Sequence, residues 1–207
     1  MSQDALFFGS REWFEAAKKT LSEDPDLVKA AATWEGAIRC VIDAEDEDAV
    51  KAYTSEEGIR ALLGMLAMLT PEDRQKYKAT GLQRVFEKIG FTLDDLPDES
   101  ALTPEIMSKI KELTIRDFKD INIYTAFDAY RGELRAMDPI APDAKLDARF
   151  TITGKYKHWK TMCSGQASVI QLIVTGKMKL KGEMLALMKH TALIDTLVKT
   201  FKSIPIK

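Results

Sequence analysis

The sequence predicts an α+β fold, and two features of its pattern support this. Five short segments have the β-branched or alternating apolar pattern of strands, and the segments between them repeat apolar residues at helical spacing. The chain has 207 residues, 45% hydrophobic and 30% charged, which is typical of one soluble globular domain or of one domain with a sizeable insertion. A chain of this length can bury a stable core without a disulfide or a metal.

The first elements are two helices and a strand. Ser10 is an N-cap residue before an amphipathic helix, and Asp24 followed by Pro25 starts a second helix that reaches about residue 33. Residues 36–43 are β-branched and bounded by a glycine and acidic residues, so they predict a strand. The acidic run at 45–48 is interpreted as a solvated turn.

Residues 54–118 are helical in pattern throughout. The first helix of this segment ends at Leu69, and Thr70 with the proline after it restarts the chain as a helix. Gly90 is placed to end a further helix, and Thr103, again before a proline, starts the last one.

Three strands are predicted between residues 122 and 153. Residues 122–128 and 132–137 form two of them, joined by a tight turn near 129–131. Residues 146–153 alternate apolar and polar side chains, which is the pattern of a half-buried strand.

The last segment predicts three helices and an edge strand. Gly154 turns the chain into a helix that carries Trp159, and Ser168 caps a short apolar helix. Residues 177–181 alternate lysines with apolar residues, which suits the edge of a sheet because charge there discourages further pairing. A single helix is expected over 183–202.

Composition and motifs argue against several classes of function. A net charge of −2 gives no footprint for nucleic acid. The two cysteines, Cys40 and Cys163, and the two histidines, His158 and His190, form neither a metal-ligand pattern nor an oriented nucleophile–base pair. No hydrolase, metalloprotease or nucleotide-binding motif is present. We expect no catalytic residue, no metal and no cofactor; acid–base chemistry by a buried carboxylate is the enzymatic alternative.

The sequence is expected to belong to a cytoplasmic protein. The N-terminal residues lack the basic and long apolar regions of a secretion signal. The longest apolar run, residues 61–69, is far shorter than the roughly 20 residues that a spanning helix needs. Two lone cysteines suit a reducing compartment.

The C-terminal third resembles the sterol carrier protein 2 (SCP2) family. The resemblance is carried by Trp159 and by residues 165–182, where a glycine and a short apolar helix precede Gly-Lys-x-Lys-x-x-Gly. Ser168 stands where the family often has an acidic or Asn cap, and Val169 where it often has proline, which changes the cap and not the architecture. Near the N-terminus, Glu12-Trp13, Asp24-Pro25 and Trp34-Glu35-Gly36 resemble the opening of single-domain prokaryotic members.

The resemblance covers residues 10–52 and 120–206, so 54–118 is interpreted as a helical insertion in one domain that spans 1–207. It implies a five-stranded antiparallel sheet covered by helices on one face. It also implies non-catalytic binding or transfer of a sterol, fatty acid, acyl-CoA or phospholipid in an apolar tunnel.

Adaptable apolar side chains of the C-terminal elements are the candidate tunnel lining, although such helices are often simply core. The predicted ligand-binding residues are Trp159, Ile170, Ile173, Val174, Met178, Leu180, Met184, Leu187, Met188, Ile194, Val198 and Phe201. Lys177, Lys179 and Lys181 are interpreted as a solvated strand face; the alternative is attraction to anionic headgroups or CoA phosphates, with transient contact to a membrane surface.

The apolar run at 61–69 leaves three interpretations open. It is a helix buried in a helical subdomain, a dimer face, or a lid over the tunnel formed by Leu62, Met65, Leu66 and Leu69. The alternative function of the chain follows from the same segment: a protein-interaction module whose insertion binds a partner or forms a dimer.

Overall fold

The computed structural model describes residues 4–207; Met1 to Gln3 and the side chain of Glu99 lie outside the described part. Within it the helices are α1 (Arg11–Glu23), α2 (Pro25–Ala30), α3 (Glu47–Tyr53), α4 (Glu56–Ala67), α5 (Pro71–Gln75), α6 (Gly81–Ile89), α7 (Pro104–Lys111), α8 (Tyr156–Cys163), α9 (Val169–Val174), α10 (Met184–Met188) and α11 (Thr191–Ser203). Short 3₁₀ helices occur at Lys76–Ala79 and Glu99–Ala101. The strands are β1 (Glu35–Asp43), β2 (Asn122–Tyr130), β3 (Glu133–Pro139), β4 (Ala148–Lys155) and β5 (Met178–Lys181).

The five strands form one sheet in the order β3-β2-β1-β4-β5, which confirms the α+β class and the position of β5 at an edge. The sheet is mixed, so the expectation of a purely antiparallel sheet was wrong. β1 pairs antiparallel with β2 but parallel with β4, and β4 pairs antiparallel with β5.

The parallel pair arises because the connection between β3 and β4 crosses the sheet. β3 lies at one edge and β4 on the far side of β1, so residues 140–147 pass over a face of the sheet. Arg39 of β1 holds this crossover by donating to the carbonyl oxygens of Pro142, at 3.2 Å, and of Ala144. The Tyr77 hydroxyl donates to the carbonyl of Ile140, at 2.9 Å.

The predicted N-caps form the expected hydrogen bonds. The hydroxyls of Ser10 and Ser168 accept from the backbone N–H groups of Trp13 and Gln171, at 3.2 and 3.1 Å. Asp24 caps α2, which begins at Pro25. These bonds satisfy donors at the helix start that have no partner within the helix.

Three local predictions need correction. The acidic run is not only a turn, because Asp46 is buried and caps α3 through the N–H of Asp48. β4 continues to Lys155, since Gly154 pairs with Met178. The last helix is two helices, α10 and α11. The break falls at His190, whose backbone leaves the helical region and whose ring packs edge-on against Trp34, 4.9 Å between centroids.

One continuous hydrophobic core joins the sheet to most of the helices. Residues of α4 and α6, such as Leu66 and Phe86, belong to the same buried cluster as Trp13 of α1 and Phe150 of β4. The helical segment 54–118 therefore shares its core with the sheet. Among residues 4–207 no helix combines the length and the apolar character that crossing a membrane requires.

Candidate functional site

An apolar cavity lies between one face of the sheet and the helices that cover it. The strands line it through alternate residues, because successive side chains of a strand point to opposite faces. β1 contributes three such residues, and β2, β3 and β4 add the rest. The strand residues that line the cavity are Ile38, Cys40, Ile42, Thr125, Phe127, Met137 and Ile152.

Helices close the other side of the cavity at helical spacing. α8 presents residues at i, i+3 and i+4, and α11 presents residues at i, i+3, i+4 and i+7, which is one face of a helix in each case. The segment before α1 and the first turn of α1 complete the wall. The residues are Phe8, Gly9, Trp13, Phe14, Trp159, Met162, Cys163, Val169, Ile194, Leu197, Val198 and Phe201.

The cavity is narrow. Protein atoms leave about 700 Å³ of the cavity unfilled, and this volume includes the part that opens to solvent. The region in which the centre of a water molecule fits is much smaller, about 60 Å³. One water needs about 10–15 Å³ on that measure, so the space holds a few water molecules. A ligand larger than a few water molecules would have to widen it by moving side chains.

The cavity wall carries no charge at neutral pH. Burial raises the pKa of the Cys40 thiol to about 12 and outweighs the hydrogen bond to Thr125, which favours the thiolate. Burial also raises the pKa of the Cys163 thiol well above its usual value. The described lining contains no Asp, Glu, Lys, Arg or His. Protonated thiols are poor nucleophiles, so the wall suits a hydrocarbon better than it suits covalent chemistry.

The wall holds two indole N–H groups with different partners. The N–H of Trp159 donates to the carbonyl oxygen of Val41, at 3.1 Å. The N–H of Trp13 is buried and has no acceptor among the described residues. A buried donor without a partner costs about 1–3 kcal/mol, so this group calls for an explanation.

The structure places the predicted ligand-binding residues in two groups. Trp159, Ile194, Val198 and Phe201 line the cavity. The other predicted residues pack elsewhere in the core or face outward: Ile170, Ile173, Val174, Met178, Leu180, Met184, Leu187 and Met188.

Sequence reasoning missed the N-terminal and strand side of the cavity. The apolar faces of α1 and β4 were identified, but nothing in a local pattern says that Phe14 and Ile152 face the same space as Phe201. The strand side of the cavity could have been inferred from Cys40, because this residue lies at an inward-facing position of a predicted strand.

The four proposed lid residues do not reach this cavity. Leu62, Met65, Leu66 and Leu69 are buried, and none of them is part of its lining. Leu62 instead borders a smaller space, about 320 Å³ unfilled, between α4, α6 and the start of β2.

Comparison with protein families gives a match over residues 87–195, more than half of the chain, to the SCP-2 sterol transfer family. The match confirms the family resemblance inferred from Trp159 and residues 165–182. The matched region begins at residue 87, inside the segment 54–118. The match therefore does not test the prediction that this segment is an insertion.

Two solved structures share the fold. A crystal structure of sterol carrier protein 2 has a TM-score of 0.52 at 15% identity, covering 95% of this chain and 98% of that chain. A solution structure from Thermus thermophilus, described as a conserved hypothetical protein, possibly sterol carrier protein, has a TM-score of 0.52 at 15% identity, covering 100% and 95%. At these identities the likeness concerns the fold alone. No curated protein matches the chain significantly.

Proposed function

Because the chain belongs to the SCP-2 sterol transfer family, we propose that it binds a sterol, fatty acid, acyl-CoA or phospholipid in the apolar cavity and carries it without catalysis. The proposal rests on the composition of the cavity wall. The wall is apolar and uncharged and lies between two structural layers, with only Thr125, the two thiols and the indole N–H groups as polar features.

The wall is built to adapt to an inserted chain. Met137 and Met162 line it, and methionine side chains are unbranched and rearrange easily. Val198 lies on the wall and is only partly buried, so α11 is a side of the cavity that reaches solvent. We expect ligands to enter there and to widen the space between α11 and the sheet.

The Trp13 indole is the contact that we assign to the polar end of the ligand. Its N–H has no acceptor among the described residues, and its ring packs against Phe8, Phe14 and Phe201, which also line the cavity. A hydroxyl, carboxyl or ester oxygen placed beside it would gain a hydrogen bond that the ligand-free protein lacks.

The test is ligand uptake by the whole protein and by two variants with the same chemical change. Val198→Trp fills the cavity from α11, and Val174→Trp adds the same ring at an exposed position outside it. Native mass spectrometry with lipid extraction would measure bound apolar ligand after purification and after addition of fatty acid, acyl-CoA, phospholipid or sterol.

We expect a stoichiometric apolar adduct on the wild type and on Val174→Trp, and at least a tenfold weaker uptake, on the order of 1.4 kcal/mol, for Val198→Trp. A wild-type protein that takes up none of the four ligand classes would refute the proposal. Equal uptake by both variants would place the ligand somewhere other than this cavity.

The protein-interaction alternative has no observation in its favour. In the described part of 54–118, Ile115 is the one large apolar side chain that is clearly exposed, and the run at 61–69 is used in internal packing.

A further inference from the structure

We propose that the smaller space bordered by Leu62, called here the second space, is a subsite for the end of an acyl chain that lies in the cavity, and that Tyr156 separates the two spaces. This subsite depends on the proposed function, because it takes part of the same ligand. It would make the helical segment 54–118 the part of the protein that determines which chain lengths are accepted.

The cavity and the second space lie on the same face of the sheet. Ile42 of β1 lines the cavity, and Ile123, its register partner on β2, lines the second space. Residues directly opposite each other on paired strands point to the same face, with their Cβ atoms about 4.5–5.5 Å apart. The register pair before them, Cys40 and Thr125, lines the cavity from both strands. The row of inward-facing residues therefore continues from the cavity into the second space.

A row of three aromatic rings connects the two linings. Phe8 lines the cavity and Tyr53 lines the second space, and the ring of Tyr156 packs against both. The ring centroids of Phe8 and Tyr156 are 5.6 Å apart, and those of Tyr53 and Tyr156 are 5.5 Å apart. Tyr156 is almost fully buried and belongs to neither lining. Its ring therefore lies between the two spaces.

No hydrogen bond holds the Tyr156 side chain in this position. Its hydroxyl is buried and has no partner among the described residues. Trp159, three residues further along α8, differs because its indole N–H donates to the carbonyl oxygen of Val41, at 3.1 Å. A side chain that is held by packing alone can change its rotamer when a ligand supplies new contacts. Rotation of the Tyr156 side chain would join the two spaces.

The second space suits a hydrocarbon. α4 and α6 contribute Leu62 and Val85 to its wall, and none of the described lining residues is charged. About 10 Å³ of it accepts the centre of a water molecule, which is room for about one water. A water needs about two to four polar partners, and the Tyr53 hydroxyl is the one polar side-chain group in the described lining. Methylene groups that enter would supply the dispersion contacts that the facing apolar side chains lack.

The narrowness of both spaces favours an acyl chain over a rigid ring system. A chain is one methylene wide and bends at each bond, so it can pass beside a displaced Tyr156 ring. A fused ring system would require the cavity, the second space and the region between them to widen together.

The test measures the affinity of the full chain for saturated fatty acids of increasing length, from octanoate to eicosanoate, by calorimetric titration at concentrations below micelle formation. Val85→Phe fills the second space from α6 and leaves the cavity lining unchanged. Val174→Phe makes the same change at an exposed position outside both spaces.

In the wild type the affinity should rise about fourfold with each added methylene until the second space is full, since each buried methylene strengthens binding by that factor. Val85→Phe should bind the longest acids at least about tenfold more weakly than the wild type, which is the value of nearly two methylenes, and should bind octanoate equally well. Val174→Phe should match the wild type throughout the series. Equal affinities of Val85→Phe and the wild type for every acid would overturn the proposal.

A second variant opens the partition. Tyr156→Leu should bind the longest acids several-fold more tightly than the wild type, because no ring has to be displaced, and should bind octanoate as the wild type does. Tyr77→Leu is the matched control, because Tyr77 is equally buried and lines neither space. The control should lower stability and leave the dependence on chain length unchanged. An equal gain of Tyr156→Leu for octanoate would overturn the role of Tyr156 as the partition.

The position of the chain end can also be observed in the unmodified protein. In isotope-filtered NMR, the terminal methyl of a long, carbon-13-labelled acid should contact Leu62 and Val85. Contacts with Ile194 and Phe201 alone would place the whole chain in the cavity and overturn the proposal.

The proposed function and the second subsite fail in different ways. If the wild type binds none of the acids, the proposed function fails for this ligand class and the subsite fails with it. If the acids bind and Val85→Phe shows the same dependence on chain length as the wild type, the proposed function stands and the subsite alone is refuted.

Discussion

At the scale of single residues, the two tryptophans of the cavity wall differ in the contacts of their indole N–H groups. Trp159 is tied to β1 through Val41, so its N–H has a structural role. Trp13 has the same donor without a partner. The difference separates a residue that holds the wall together from the one to which we assign the ligand contact.

Trp13→Phe should weaken binding of a fatty acid or sterol by about fivefold, the value of one hydrogen bond of about 1 kcal/mol, because the donor is lost and the ring is kept. A hydrocarbon of similar length, which has no acceptor, should bind as it does to the wild type. Titration of both ligand types against both proteins checks this. An equal loss for both would mean that the smaller ring, and not the missing N–H, causes the effect.

The Cys40 thiol makes stability depend on pH in the alkaline range. Unfolded, it titrates near 9, and burial raises its pKa to about 12 in the fold. Between these values the native state keeps a proton that the unfolded state releases, so the free energy of unfolding falls as pH rises.

Cys40→Val removes this contribution. Between about pH 8 and about pH 10 the wild type should lose roughly 1 kcal/mol more stability than the variant does. Urea unfolding of both proteins at the two pH values measures the difference. Parallel losses would show that the thiol has an ordinary pKa in the fold.

At the scale of elements, the local signals in the sequence were sufficient to place the helix starts. Ser10, Asp24, Thr70 and Ser168 all accept the hydrogen bonds expected of N-caps, because such bonds join residues two or three apart. The break between α10 and α11 has no such signal. His190 ends one helix where it meets Trp34, a residue from the other end of the chain.

The cap at Ser10 links helix stability to the cavity, because α1 carries Trp13 and Phe14. Ser10→Ala should cost about 1 kcal/mol of stability and also weaken ligand binding. Thr70→Ala removes the same kind of cap from α5, which contributes no residue to the cavity wall, and should lower stability without changing affinity. Chemical denaturation and ligand titration of both variants separate the two effects, and an affinity loss in both would mean that destabilisation alone is responsible.

At the scale of the whole molecule, sequence patterns could not supply the topology. The strand segments predict that β1 and β4 exist, but not that they pair in parallel, because the pairing depends on the path of residues 140–147 across the sheet. The same limit applies to the cavity. Ile194, Val198 and Phe201 share a helix face that can be identified locally, whereas Phe8 and Cys40 join them only in the folded chain.

The shared core predicts that the helical segment 54–118 unfolds together with the sheet. Leu66→Ala, at a fully buried position of α4, should lower stability by about 2–5 kcal/mol and move a single transition. Tryptophan fluorescence reports on the sheet and its helices, and far-ultraviolet circular dichroism reports mostly on helices. Separate midpoints for the two signals would show that 54–118 is an independent unit.

The central position of β1 affects the order in which the protein can assemble during synthesis. Ile38 lies between Phe127 on one side and Phe150 on the other, so β1 leaves the ribosome long before either neighbour exists. Domains usually fold from the N-terminus as they emerge, but here the first strand has to wait. The wall of the cavity is completed only when α11 has been made, because Ile194, Leu197, Val198 and Phe201 line it. If the cavity holds the ligand proposed above, that ligand can be loaded only after α11 has been made.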